Sequence, residues 1–129
     1  MISREEILQL DAGREIDILV AEQVMGWQVE VDPYRLQRLD HYFSIKKNIK
    51  WWRKPEGGWY DTPPSYSSDM TAAWEVVERM NSRGQAIFML KTVDLNQVAF
   101  DQPSRENPNY VSEKTVAGAI CKAALIATR

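Results

Sequence analysis

Two adjacent prolines, Pro63 and Pro64, stand before a run with helical periodicity, and the rest of the chain is expected to be organised around that run. Neither proline can enter a helix interior, and each pushes the residue before it out of the α region, so the approach is extended. Ser67 or Ser68 is then placed to cap the first free amides, with Asp69 where the positive end of the helix dipole favours a carboxylate. Met70, Ala73, Trp74, Val77 and Met80 follow at spacings of three and four, which makes one apolar stripe and predicts that Trp74 is core. Asn81-Ser82-Arg83-Gly84 ends the helix, with Gly84 free to take the left-handed cap conformation.

At 129 residues, with 44% hydrophobic and 26% charged side chains, the chain reads as one domain with a core that needs no staples. No apolar run is long enough to cross a bilayer, and the opening Met1-Ile2-Ser3-Arg4-Glu5-Glu6 is too polar for a signal peptide. The single cysteine, Cys121, has no partner within the chain, and with His41 the only histidine a Cys/His zinc site is not expected. A reducing cytoplasm is the expected setting.

Along the chain, Ser3 and Glu6 have capping-box spacing and open a short helix through Leu10. A second helix over residues 13–25 carries Ile16, Leu19, Val20 and Val24 on one side and Ile18, Ala21 and Met25 on another. That breadth predicts cover from more than one direction, a subunit contact being one way to supply it. Trp27-Gln28-Val29-Glu30-Val31 alternates like a half-buried strand, and Asp32-Pro33 opens a third helix through about Phe43. Asn48 to Arg53 and Trp59-Tyr60 read as strands joined by the turn Lys54-Pro55-Glu56-Gly57-Gly58. Residues 86–92 and 97–100 read as a hairpin, and 101–110 as a polar surface loop. Ser112 is expected to cap a last helix whose small face, Val116, Ala117, Ala119, Ile120, Ala123, Ala124 and Ala127, would let it lie close to a sheet.

Three stretches of this pattern carry a family resemblance. Tyr66-Ser67-Ser68-Asp69-Met70 running into Ala72-Ala73-Trp74-Glu75-Val76-Val77-Glu78-Arg79-Met80 resembles the central signature of the phage ABA-sandwich domain, found in small phage and prophage proteins. The flanking pieces 4–27 and 119–127 agree with it in order and character. The resemblance implies an α+β fold, a single-domain α-β-α sandwich over residues 1–129 with a small, mainly antiparallel sheet flanked by helices. Residues 28–62 stand apart as a divergent, insert-like segment. The resemblance also implies a phage origin, and hence the cytoplasm of an infected bacterial host. It carries no catalytic residue set.

The residues themselves offer no catalytic set either. Asp40 and His41 are sequence neighbours that face different directions on a helix. Cys121 sits among alanines, in the manner of a buried small hydrophobe rather than a low-pKa thiolate. No phosphate loop, metal-binding His pair or nucleophile elbow is present, so the chain is expected not to be an enzyme and to need no cofactor or metal.

Charge is unevenly placed. The net charge is −2, yet Lys46, Lys47, Lys50, Arg53 and Lys54 put five cations into nine residues with no acid among them. Three of the five tryptophans, Trp51, Trp52 and Trp59, lie in or just beyond this segment, next to Tyr60. Indole faces stack on bases and cations hold phosphate, whereas a chain acidic overall is a poor binder of long nucleic acid. The segment could equally be a basic sheet edge whose lysines are solvated. The expected ligand site is Lys47, Lys50, Trp51, Trp52, Arg53, Lys54, Trp59 and Tyr60, with Tyr66 contributing an edge or a stack. The expected partner is a small nucleotide-like ligand, of the cyclic nucleotide or cyclic ADP-ribose kind that hosts use as immune signals. Sequestration by a homo-oligomer is the leading expectation, and a module that inhibits a host protein through the same tryptophans is the alternative. No membrane partner is expected.

Overall fold

The computed structural model describes residues 3–30, 51–60 and 62–128, with side chains at all of these except 29, 30, 51, 59 and 60. The helix expected from Asp32-Pro33, and with it His41, lies outside the described residues. The architecture is α+β, a small antiparallel sheet flanked by helices, as expected for an α-β-α sandwich. The chain divides into two compact units, one made of Met1–Met25 with Pro64–Arg129 and the other of Gly26–Pro63.

In the larger unit, α1 (Arg4–Gln9) starts at Ser3, whose hydroxyl accepts from the Glu6 amide at 3.2 Å, as the capping-box spacing predicts. α2 (Arg14–Gln23) begins after Gly13, whose φ of 150° suits glycine alone. Its buried residues, Ile16, Asp17, Val20 and Ala21, form one stripe that Val24 continues at the C-cap, narrower than the broad coverage expected from sequence.

α3 (Met70–Ser82) is the helix the prolines introduce. Its cap is Asp69, whose Oδ1 accepts from the Thr71 amide at 3.0 Å, and not Ser67 or Ser68. The expected stripe is also turned. The buried residues are Ala72, Ala73, Val76, Val77 and Met80, whereas Met70 and Trp74 are 45% and 47% exposed. The helix stops as the glycine predicts. Gly84, at φ 82°, donates to Asn81 O, and Gln85 N–H reaches back to Met80 O at 3.0 Å, the paired bonds of a Schellman cap.

β4 (Ala86–Lys91), β5 (Asn96–Asp101) and β6 (Val111–Glu113) form an antiparallel sheet in that order. Val98, Ala99 and Phe100 on the middle strand are consecutive and all buried. Successive strand residues point to opposite faces, so both faces of the sheet are covered there. β6 takes in Ser112, the residue expected to cap the last helix, and lies just beyond the expected loop. Consequently Thr115, not Ser112, caps the last helix, its hydroxyl accepting from the Gly118 amide at 3.1 Å.

That helix, α4 (Val116–Ala127), is the hub: it packs on β5 and β6 and also touches α1, α2 and α3. Every residue from Ala117 to Leu125 is buried, and the alanines and Gly118 let neighbours approach from all sides. A helix so enclosed in its own chain leaves no apolar face for a subunit contact.

In the smaller unit, β1 (Gln28–Glu30), β2 (Trp51–Arg53) and β3 (Trp59–Tyr60) form a second antiparallel sheet in chain order. Val29 stands opposite Trp52, and Trp52 opposite Tyr60.

Candidate functional site

The described part of the cation-aromatic segment, from residue 51 on, is the β2–β3 hairpin. Its turn is closed by the Lys54 amide donating to Gly58 O at 3.3 Å and the Gly57 amide donating to Lys54 O at 2.9 Å. Strand alternation sorts its side chains, because Trp52 is 3% exposed while the next residue, Arg53, is exposed. Trp52 is therefore an anchor, and its ring offers no face on which a base could stack. Lys54 at the turn is half-buried, and its Nζ lies 3.9 Å from Glu56 Oε2, a loose surface pair that contributes little. Arg53 and Lys54 are thus presented at the end of β2. Lys47 and Lys50 lie outside the described residues, as do the side chains of Trp51, Trp59 and Tyr60.

Tyr66 takes a different place from the one expected. It is 0% exposed and belongs to the core of the larger unit, so it cannot stack on or edge a ligand. The turn that carries it is held by the Tyr66 amide donating to Pro64 O and the Asp69 amide to Ser65 O, both at 2.9 Å. Beside it, Ser67 is also fully buried. The Ser67 amide donates to Asp17 Oδ1 at 2.7 Å, and the Ser67 hydroxyl accepts from the Gly13 amide at 2.9 Å. The Tyr-Ser-Ser-Asp run thereby ties the approach to α3 onto the start of α2.

Two polar features are buried in α4. Lys122, 3% exposed, donates to Leu8 O at 2.9 Å and forms an ion pair with Glu113, joining α4, the end of α1 and β6. Cys121 is fully buried, as expected from its neighbours. Burial pushes its thiol far above the ordinary range, and the Asp17 charge adds to the effect. A thiol so placed is not a nucleophile at neutral pH.

Surface features not anticipated from sequence are the Met70–Trp74 pair on α3 and two adjoining grooves in the larger unit. One groove, of about 410 Å³, has Phe100, Val111 and Ala123 in its lining with Arg4, Gln102 and Asn109. The other, of about 500 Å³, follows the loop through Gln102, Ser104, Arg105 and Asn107. Asp101 lines both, and Arg105 Nε lies 3.6 Å from its carboxylate. Among the described residues no cluster of His, Cys, Asp and Glu could hold a metal, and no helix is long and apolar enough to cross a membrane.

Comparison with known proteins agrees with the fold. The sequence model of the phage ABA sandwich domain matches residues 18–125. A crystal structure of a phage protein from Bacillus cereus ATCC 14579 is similar at a TM-score of 0.62 and 23% identity. The alignment covers 92% of this chain and 93% of that one, a likeness in fold alone. No curated protein matches the chain.

Proposed function

The chain belongs to the phage ABA sandwich domain family, and from that premise we propose that it is a non-enzymatic phage protein that binds and sequesters a nucleotide-derived immune signal. The signal class is a cyclic nucleotide or a cyclic ADP-ribose-type molecule, and the place of action is the cytoplasm of the infected bacterium. The observation that carries this reading is the outward Arg53 beside Lys54 on a hairpin anchored by buried Trp52. Anchoring fixes the strand, so the guanidinium is presented from a rigid element and loses less entropy on gripping phosphate. Lys47 and Lys50 would add charge, while Trp51, Trp59 and Tyr60 would supply base stacking. Trp52 and Tyr66 hold the scaffold in this account and touch no ligand.

Calorimetry of purified protein against cyclic mono-, di- and trinucleotides and cyclic ADP-ribose isomers tests the proposal. One member of the panel should bind and be recovered intact after the protein is denatured. Arg53→Ala should weaken that binding at least tenfold.

A second reading has its own observation. Trp74 and Met70 stand four residues apart on the open face of α3, with Glu75 and Glu78 exposed beside them. An exposed Trp-Met pair is a usual anchor for a protein partner. In that reading the protein inhibits a host enzyme, the nucleotide panel gives no response, and Trp74→Ala abolishes the inhibition.

A further inference from the structure

We propose that the outer edge of β4 is a self-association surface, on which a second copy of this chain extends the sheet through a two-fold axis. β4 is an edge strand, and among the described residues nothing pairs with its outer side. Which groups face out follows from the hairpin turn. The Thr92 amide donates to Leu95 O at 2.9 Å, and the Leu95 amide donates to the Thr92 hydroxyl at 3.0 Å, so this pair closes the ladder. Bonded pairs in an antiparallel ladder recur every second residue, which makes Leu90–Gln97, Phe88–Ala99 and Ala86–Asp101 the inward-bonded pairs. The amides and carbonyls of Ile87, Met89 and Lys91 therefore point outward.

This edge lacks the devices that keep strands apart. It has no proline, its register with β5 runs unbroken from Ala86 to Lys91, and its single charge, Lys91, stands at the far end. Its second half is also apolar and open: Met89 and Leu90 are exposed, as are Val93 and Leu95 at the hairpin tip, Val93 completely. Four large apolar side chains within seven residues are unusual on a surface meant for water.

The strand's own pattern selects a second copy as the occupant. Outward groups must meet outward groups, which permits a two-fold centred on Met89. Met89 then faces the second copy's Met89, Phe88 faces Leu90, and Ile87 faces Lys91 with no cation opposite. Continued past the strand ends, the same register carries the tip residue Asp94 to the second copy's Gly84, beside Arg83, and the symmetry repeats that acid–base meeting at the other end. Because paired residues keep their faces, each layer packed on the sheet of one copy lies on the same side of the joined sheet as its counterpart in the second copy. α4, being enclosed, takes no part.

Sedimentation equilibrium across the micromolar range tests the proposal, independently of any ligand. The wild type should weigh twice its 14.9 kDa. Met89→Pro removes only an outward amide, a change an edge strand tolerates, and Met89→Lys sets like charges against each other at the axis. Both should be monomers with the circular dichroism and melting temperature of the separated wild-type chain, and Asp94→Lys should weaken association several-fold. A monomeric wild type, or a dimer that both Met89 variants leave intact, overturns the proposal.

Discussion

The Ser67 amide donates to Asp17 Oδ1 at 2.7 Å across 50 residues of chain, and this bond joins the approach to α3 to the first turns of α2. Both residues are buried. Removing the acceptor strands a buried N–H, so Asp17→Ala should destabilise the protein by about 2 kcal/mol. Asp17→Asn keeps an acceptor oxygen and should cost less than half as much. Urea unfolding with equal m-values measures both.

Lys122 makes a sharper case, because its charge is buried and met on two sides, by Glu113 and by Leu8 O. Taking away one member of a buried pair costs about 3–5 kcal/mol, less where the survivor can reach water, as Glu113 can. Lys122→Met should therefore cost about 3 kcal/mol. Adding Glu113→Gln to it should recover part of the loss, which a double-mutant cycle reads directly.

Trp74 separates the sequence expectation from the structure. A core tryptophan replaced by alanine costs about 3–5 kcal/mol, whereas a surface substitution stays within about 0.5 kcal/mol. Being 47% exposed, Trp74 should fall near the lower value. Thermal unfolding of Trp74→Ala decides it, with Val76→Ala as the core comparison.

α3 shows where the sequence stops being informative. Ala73, Val77 and Met80 belong to both candidate faces. The spacing alone leaves open whether that face continues through Met70 and Trp74 or through Ala72 and Val76. Hydrophobicity favours the larger pair, but α4 comes so close, through alanine and glycine, that small residues fit the contact. Signals contained within a few residues, such as the Ser3 cap, the Gly84 stop and the β4–β5 turn, were legible because their chemistry is local. β6 was not, since three residues carry too little pattern to be read as a strand. The buried places of Trp52 and Tyr66 were hidden for the same reason as Trp74: aromatic residues suit a ligand site and a core equally well, and only packing partners distinguish them.

Cys121 gives a pH prediction. Its thiol is pushed up in the folded protein by burial and by the Asp17 charge, so the folded state holds its proton when the unfolded state has lost it. Stability from this group is fully present below the unfolded thiol value of about 8.5 and falls by about 1.4 kcal/mol per pH unit above it, until the raised folded value is reached. Cys121→Ala should remove that slope. In the native protein a thiol reagent should react only as fast as the chain unfolds.

The most direct test of the proposed function is calorimetric titration of the purified protein with the cyclic nucleotide and cyclic ADP-ribose panel, repeated on Arg53→Ala. The expected result is saturable binding of one ligand class, at least tenfold weaker in the variant, with the ligand recovered unchanged. No heat from any member of the panel, or binding that Arg53→Ala leaves intact, would contradict it.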